Sequence, residues 1–206
     1  MPRKITLLPL LALAFSGIAA ATTVSLNAEY LNLDLGIKGA PESQIMPGLQ
    51  LKGRQNFEEG YSAALSVTGA KGSRLTYLVG HLAFDKAFSA GFGYFRSGVH
   101  LGYRVLQGEG SRLSAANAGV GLTFFVPITP SFDAFLSAGA GKTFMARLNG
   151  TSLSGGLYYS GSAGFNYAVG PGAVNLAYKY QHFGLDSVSE SRMSTQGVLL
   201  GYRIAF

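Results

Sequence analysis

Hydrophobic residues recur at every second position in this chain, and they do so over unusually long segments. Residues 116–126, 157–169, 174–181 and 197–206 all alternate in this way. A period of two is typical of β-strands, and no segment of residues 22–206 shows the 3.6-residue period of an amphipathic helix. Strands of globular sheets average about five or six residues, whereas a strand that crosses a bilayer at a tilt needs about 9–11. The pattern therefore favours membrane-spanning strands.

The composition of the two strand faces separates this chain from a soluble β-sandwich. Its polar positions are mostly Gly, Ser, Thr, Asn and Ala, with 29 glycines and only 13% charged residues among 206. A solvated face would be rich in Lys and Glu, while small residues suit a narrow lumen. Aromatic residues near strand ends, such as Tyr178 and Tyr180, are typical of the girdles at the two bilayer interfaces. Because lipid tolerates no open sheet edge, the sequence predicts an all-β, single antiparallel up-and-down transmembrane β-barrel.

The N-terminus carries an export signal. Arg3 and Lys4 precede an apolar run, residues 5–18, which ends at the small residues Ala19-Ala20-Ala21. This is the pattern of a secretory signal peptide, and the run is too short for a transmembrane helix. We expect residues 1–21 to be cleaved and residues 22–206 to form one barrel domain in the outer membrane of a Gram-negative-type bacterium. The chain has no cysteine, which excludes a lipoprotein anchor, disulfides and thiolate chemistry.

Turn signals predict the number of strands. Short connections are expected at 58–60, 85–86, 127–130 and 170–172, and longer ones at 38–47, 69–74, 107–112, 149–154 and 184–194. The two kinds alternate along the chain, as short periplasmic turns and longer external loops do in outer-membrane barrels. This count favours ten strands. The period-two pattern of apolar residues is interrupted at Tyr30/Leu31 and between Tyr94 and Val99, where we expect bulges or a further turn.

The last hairpin resembles a known family. Residues 176–184, a polar loop and residues 197–206 are similar to the final hairpin of OmpA/opacity-type outer-membrane barrels, and the size and glycine content are similar to those of YfaZ-like barrels. The resemblance implies eight strands, which stays as the alternative to ten. Tyr202, Ile204 and Phe206 resemble the C-terminal signal that barrel-assembly machinery reads. The implied partners are that machinery, periplasmic chaperones and outer-membrane lipid.

Alternation assigns a set of charged side chains to the lumen. Because charges removed from water are costly unless they are paired, we expect these side chains to form an ion-pair network. The predicted network consists of Glu29, Asp34, Lys52, Arg54, Arg104, Lys179 and Arg203.

The sequence offers little support for catalysis, a metal or a cofactor. His182 and Asp186 are a His–carboxylate pair at the rim of the last external loop. Lipid A deacylase barrels place a His-x-Ser near this point, but here the third position is Gly184, and Gln196 stands where an acid would be sought. The three histidines lack ligand spacing. The net charge of +6 is too diffuse for nucleic acid. We predict no catalytic, metal or cofactor residues.

Three functions are left open by the sequence. The first is a non-enzymatic outer-membrane barrel that serves envelope integrity or surface interaction. The second is a narrow, weakly anion-preferring, porin-like channel, which requires lumen cations that are not neutralised. The third is a lipid A-modifying enzyme at the 182–196 rim.

Overall fold

The computed structural model describes residues 22–36, 43–108, 110–186 and 191–206, so the predicted signal peptide lies outside the described residues. No helix in this part of the chain is long and apolar enough to cross a membrane. A 3₁₀ turn, Glu58–Gly60, separates the second and third strands. The strands are β1 (Thr23–Gly36), β2 (Ser43–Asn56), β3 (Tyr61–Lys71), β4 (Thr76–Ala90), β5 (Gly93–Gly108), β6 (Ser111–Thr129), β7 (Phe132–Leu148), β8 (Thr151–Leu153), β9 (Gly156–Val169), β10 (Gly172–Asp186) and β11 (Ser191–Ala205).

The sheet closes on itself through its first and last strands. β1 pairs with β11 in antiparallel register from Thr23↔Ala205 to Gly36↔Arg192, and the other strands pair with their neighbours in the chain. The short β8 and the longer β9 both pair with β7 and share one place in the barrel, with Ser154 and Gly155 between them. Gly155 has a φ of +70°, which favours glycine. The barrel therefore has ten strands, as the turn count predicted.

The apolar face of the strands points outward. Leu49, Leu101, Val120, Leu136 and Leu200 are each about half exposed or more. Aromatic side chains flank this band, with Phe88, Phe92 and Tyr167 near one end and Phe144, Tyr159 and Tyr180 near the other. This arrangement is the reverse of that in a soluble protein, and it matches the lipid-facing band of a transmembrane barrel.

The two ends of the barrel differ in their connections. The end that holds Thr22 and Phe206 also holds the turns at 57–60, 91–92, 130–131 and 170–171, and we call it the turn end. The opposite end, the loop end, carries short connections at 72–75, 109–110 and 149–150 as well as those at 37–42 and 187–190, which lie outside the described residues. The turn expected at 85–86 is wrong, because β4 continues to Ala90. Asp85 faces the lumen, and Lys86 lies outside, where its Nζ donates to the Tyr61 hydroxyl at 3.1 Å.

The expected phase slips in β1 and β5 are also absent. β1 runs in unbroken register with both neighbours, and β5 does so from Tyr94 onward. The sequence pattern of β1 was misinterpreted as a slip because its inward positions change from polar Asn27 and Glu29 to apolar Leu31 and Leu33. Register shifts lie elsewhere, for example at Ala116/Asn117 in the pairing of β6 with β7.

A charge placed on the outer face should cost stability according to its depth. Leu101 lies near the middle of β5, whereas Phe92 lies in the β4–β5 turn. We expect Leu101→Arg to lower the free energy of unfolding in lipid vesicles by about 2–4 kcal/mol, and Phe92→Arg to lower it by about 0–1 kcal/mol. Denaturant titration followed by circular dichroism measures both. Equal effects would contradict the assignment of this face to lipid.

Candidate ligand cavity in the barrel lumen

The half of the lumen near the loop end is filled with apolar side chains. Phe183, Leu185 and Met193 have no exposed surface, and the ring of Tyr158 stacks on that of Phe183 with centroids 4.9 Å apart. Close packing of this kind leaves no room for a column of water. We call this cluster the apolar plug. It consists of Leu31, Leu33, Leu35, Met46, Ala70, Tyr77, Leu106, Leu113, Ala115, Ala146, Tyr158, Phe183, Leu185 and Met193.

The other half of the lumen is a polar cavity of about 450 Å³. It extends from Thr23 and Asn56 at the turn end to Tyr77 and Tyr158 at the underside of the apolar plug. Hydroxyl and amide side chains cover much of its wall, and some form a chain across neighbouring strands. Asn27 Nδ2 donates to Gln50 Oε1 at 3.1 Å, and Gln50 Nε2 donates to Thr68 Oγ1 at 3.1 Å.

The structure places six of the seven predicted lumen charges on the inner side of the barrel. Lys52, Arg54, Arg104, Lys179 and Arg203 line the cavity, and Glu29 is buried on the same face of β1. Two ion pairs form. Arg54 Nη1 lies 2.9 Å from Asp85 Oδ2, and Lys179 Nζ lies 2.6 Å from Glu29 Oε1. The second pair is close but poorly aligned, so neither oxygen of Glu29 has a hydrogen-bond donor of good geometry.

Lys52, Arg54 and Arg203 lie close together near the turn end. Ser25 on β1 pairs with Arg203 on one side and with Lys52 on the other. Lys52 is within electrostatic range of Arg54, Arg203, Asp85 and the further cation Arg96. Asp85 is the carboxylate within this group, and its single negative charge does not balance the four cations Lys52, Arg54, Arg96 and Arg203.

Arg104 stands apart from this group, beneath the apolar plug. Its side chain is buried, and its Nη2 donates to Asn117 Oδ1 at 2.6 Å. The guanidinium lies over the ring of Phe183, 3.2 Å from the centroid, which is a cation–π contact. Its Nε and Nη1 atoms are buried without a hydrogen-bond partner among the described residues. The Tyr77 side chain lies beside this guanidinium, so Arg104 is held within the packed boundary between the apolar plug and the cavity.

The lumen contains polar residues beyond the predicted charge network. Arg96 and Asp85 were hidden by the expected slip in β5 and the expected turn at 85–86, and strict alternation along β4 and β5 would have found both. His81 stacks on His100 with centroids 5.3 Å apart, and His100 also contacts Tyr158 edge to face. Among the described residues, no group of three or more His, Cys, Asp or Glu side chains could hold a metal ion.

Asp34 is not in the lumen, and its assignment to the charge network is wrong. Its side chain is exposed on the outer face of β1, between the inward-facing Leu33 and Leu35. The inferred slip at Tyr30/Leu31 had shifted the assignment by one residue, and a one-residue shift moves a side chain to the other face. Ser194 Oγ lies 3.5 Å from Asp34 Oδ2 on that outer face.

The outer face near the loop end also holds His182. Its ring stacks on Tyr159 with centroids 4.5 Å apart, and in the strand register it lies opposite Ser194, which lies opposite Asp34. The serine therefore stands between the histidine and the carboxylate. A nucleophilic triad requires the histidine in the middle, bonded to both partners. The side chain of Asp186 lies outside the described residues.

The residues of the predicted assembly signal lie at the turn end. Tyr202 and Ile204 alternate with Arg203, which faces the lumen, so they point outward, and the Tyr202 hydroxyl donates to the carbonyl of Val169 at 2.8 Å. Phe206 is 82% exposed, and its backbone N–H donates to the carbonyl of Thr22 at 2.9 Å.

Comparisons with known proteins show the fold and go no further. No protein-family model matches the chain, and no curated protein matches it. The β domain of the Bordetella autotransporter BrkA is similar in structure, with a TM-score of 0.52 at 10% identity over 90% of this chain and 100% of that one. The chain has the fold of outer-membrane β-barrel proteins.

Other outer-membrane barrels resemble it more loosely. Neisserial surface protein A (NspA) matches with a TM-score of 0.42 at 13% identity, over 89% of this chain and 96% of that one. The outer membrane enzyme PagL matches with a TM-score of 0.41 at 12% identity, over 87% of this chain and 99% of that one. In barrels of this fold the short turns face the periplasm. By this rule we expect the turn end, and with it the cavity, to face the periplasm and the apolar plug to face the cell exterior.

Removing Glu29 should test whether the lumen charges are balanced in pairs. Glu29→Gln leaves Lys179 without its carboxylate, and breaking a buried pair is strongly unfavourable. Because Lys179 is partly solvated, with 22% of its side chain exposed, we expect a loss near the lower limit for such pairs, about 3 kcal/mol. Adding Lys179→Met should recover most of the loss in the free energy of unfolding. A Glu29→Gln barrel as stable as wild type would contradict the pairing.

Proposed function

We propose that this protein is a non-enzymatic, non-conducting barrel of the outer membrane with a role in envelope integrity. The observation that carries the proposal is the apolar plug. A barrel of about eight strands is filled by side chains, and one of sixteen leaves an aqueous channel. Ten strands would leave room for a thin path, but Leu31, Phe183 and Met193 fill the lumen at the loop end.

The alternative of a narrow anion channel draws on the cations of the lumen. Lys52, Arg96 and Arg203 line only the periplasmic half, however, and no charged side chain among the described residues belongs to the apolar plug. A permeating ion would have to enter an apolar constriction after leaving its counter-charges. The distribution of charge therefore favours a cavity that is open at one end, rather than a channel that is open at both.

The arrangement around His182 supports a barrel without enzymatic activity. Ser194 stands between His182 and Asp34, so the histidine is not placed to receive a proton from the serine while the carboxylate orients it. In this proposal the outer face contacts outer-membrane lipid, with these polar residues near its headgroups. Tyr202, Ile204 and Phe206 would be read by barrel-assembly machinery after delivery by periplasmic chaperones.

Single-channel recording in planar bilayers tests the proposal. We expect the refolded wild-type barrel to show no stable conductance steps while its heat-modifiable migration proves that it is folded. The triple variant Met46→Ala, Phe183→Ala, Met193→Ala removes three large side chains of the apolar plug that have no exposed surface. We expect it to conduct, with a preference for anions because the cavity below is cationic.

A control variant separates opening of the lumen from general loosening of the barrel. Leu49→Ala, Leu136→Ala and Leu200→Ala remove a similar volume from the outer face. We expect this control to stay silent. Stable conductance steps from wild type, or equal conductance from both triple variants, would contradict the proposed closed barrel.

A further inference from the structure

We propose that the periplasmic half of the lumen is a binding site for a small, multiply charged anion that carries phosphate or carboxylate groups on a hydroxyl-bearing frame. The inference rests on the proposed function only for its direction of access, since a closed barrel admits such a solute from the periplasm. The site itself rests on the charges, the unused donors and the volume of the cavity.

The first observation is an excess of positive charge. Lys52, Arg54, Arg96, Arg104, Lys179 and Arg203 line the cavity. Three carboxylates lie on the inner face among the described residues: Glu29, paired with Lys179, Asp85, paired with Arg54, and Asp133. Asp133, near the periplasmic rim, accepts a hydrogen bond from Asn166 Nδ2 at 2.5 Å. Among the described residues, Lys52, Arg96, Arg104 and Arg203 thus lack a carboxylate partner within ion-pair distance.

The second observation is that three of these four cations are clustered near the turn end, where Lys52 and Arg203 flank Ser25 on β1. Lys52 is within electrostatic range of Arg96 and Arg203, and Arg96 is within range of Arg203 as well. Like charges held together at partly buried positions repel, and an anion between them removes this repulsion. Because the repelling groups come from β2, β5 and β11, they surround the cavity mouth from several sides.

The third observation concerns donors that the protein does not use. Arg104 is 3% exposed and interacts with the Tyr77 side chain, and its Nε and Nη1 atoms have no hydrogen-bond partner of good geometry among the described residues. The Nε atom of Arg96 is buried without a partner as well. Buried donors left unpaired are unfavourable, and the planar fork of a guanidinium matches the oxygens of phosphate and carboxylate. Arg96 on β5 and the Lys52–Arg203 pair, which flanks Ser25 on β1, define two anchors for one ligand.

The lining between these anchors suits a hydroxylated frame. Gln50, Thr68, Ser137, Ser160 and Ser162 all line the cavity. Their hydroxyls and amides both donate and accept hydrogen bonds, as the hydroxyl groups of a sugar require. A volume of about 450 Å³ lies within the range of pockets that hold small ligands, about 300–1,000 Å³. A sugar bisphosphate has the charge, the hydroxyls and the size that this cavity would accept.

Isothermal titration calorimetry on the refolded barrel in detergent tests the site, with glucose 1,6-bisphosphate as the probe. We expect saturable binding that weakens as salt is raised. Glucose should give no heat. Inorganic phosphate should bind more weakly than the bisphosphate, because it can reach only one anchor. Binding of phosphate as tightly as the bisphosphate would overturn the two-anchor site.

The decisive variant removes two cations from the cavity and is compared with a variant of equal net charge. Arg96→Gln with Arg203→Gln should weaken binding by at least about tenfold. Lys142→Gln with Arg147→Gln removes two exposed cations from the outer face of β7 and should leave binding unchanged. Equal affinities for the two variants, or no binding by the folded wild type, would overturn the inference. Binding by a barrel that also conducts would leave this site standing and contradict the closed barrel instead.

Discussion

Pairing between β1 and β11 is the constraint on which the rest of the molecule depends. It removes the open edges of the sheet, so the described strands satisfy their backbone groups within the barrel, as the hydrocarbon core of a membrane demands. Once the sheet is closed, each strand has one face toward lipid and one toward the lumen. Because successive side chains of a strand point to opposite faces, the position of a residue along its strand then decides which of the two environments it enters. The outer environment is uniform and apolar, as Leu101 and Val120 show.

The inner environment is divided in two along the barrel axis. Leu31, Phe183 and Met193 make the external half a packed interior, while Lys52, Arg96 and Arg203 make the periplasmic half a basic cavity. Arg104 joins the two halves. Its guanidinium stacks under Phe183 of the apolar plug, and its Nη2 donates to Asn117. This division connects the two proposals. The packed half closes the barrel, and the basic half forms a cavity that a solute could enter from one side only.

Period-two alternation was sufficient to predict the fold and the inward position of most of the lumen charges, and the turn signals predicted the number of strands. The errors have two physical causes. Inward positions are not polar along the whole strand, so the change from Glu29 to Leu31 was interpreted as a slip, and Asp34 was assigned to the wrong face. A similar slip expected in β5 hid Arg96, and the polar pair at 85–86 was interpreted as a turn although Asp85 faces the lumen in the middle of a strand. Neither the apolar plug nor the partners of the lumen cations could be predicted, because both depend on which strands face one another across the lumen.

The absence of cysteine from the chain allows a direct measurement of access to the lumen. In a porin-deficient host, Ser66→Cys places a thiol in the cavity, and Thr151→Cys places one at the loop end. We would compare labelling by a charged, membrane-impermeant thiol reagent on intact cells and after osmotic rupture of the outer membrane. The account predicts that Thr151→Cys reacts in both cases and that Ser66→Cys reacts only after rupture. Rapid labelling of Ser66→Cys on intact cells would contradict a lumen that is closed to the exterior and open to the periplasm.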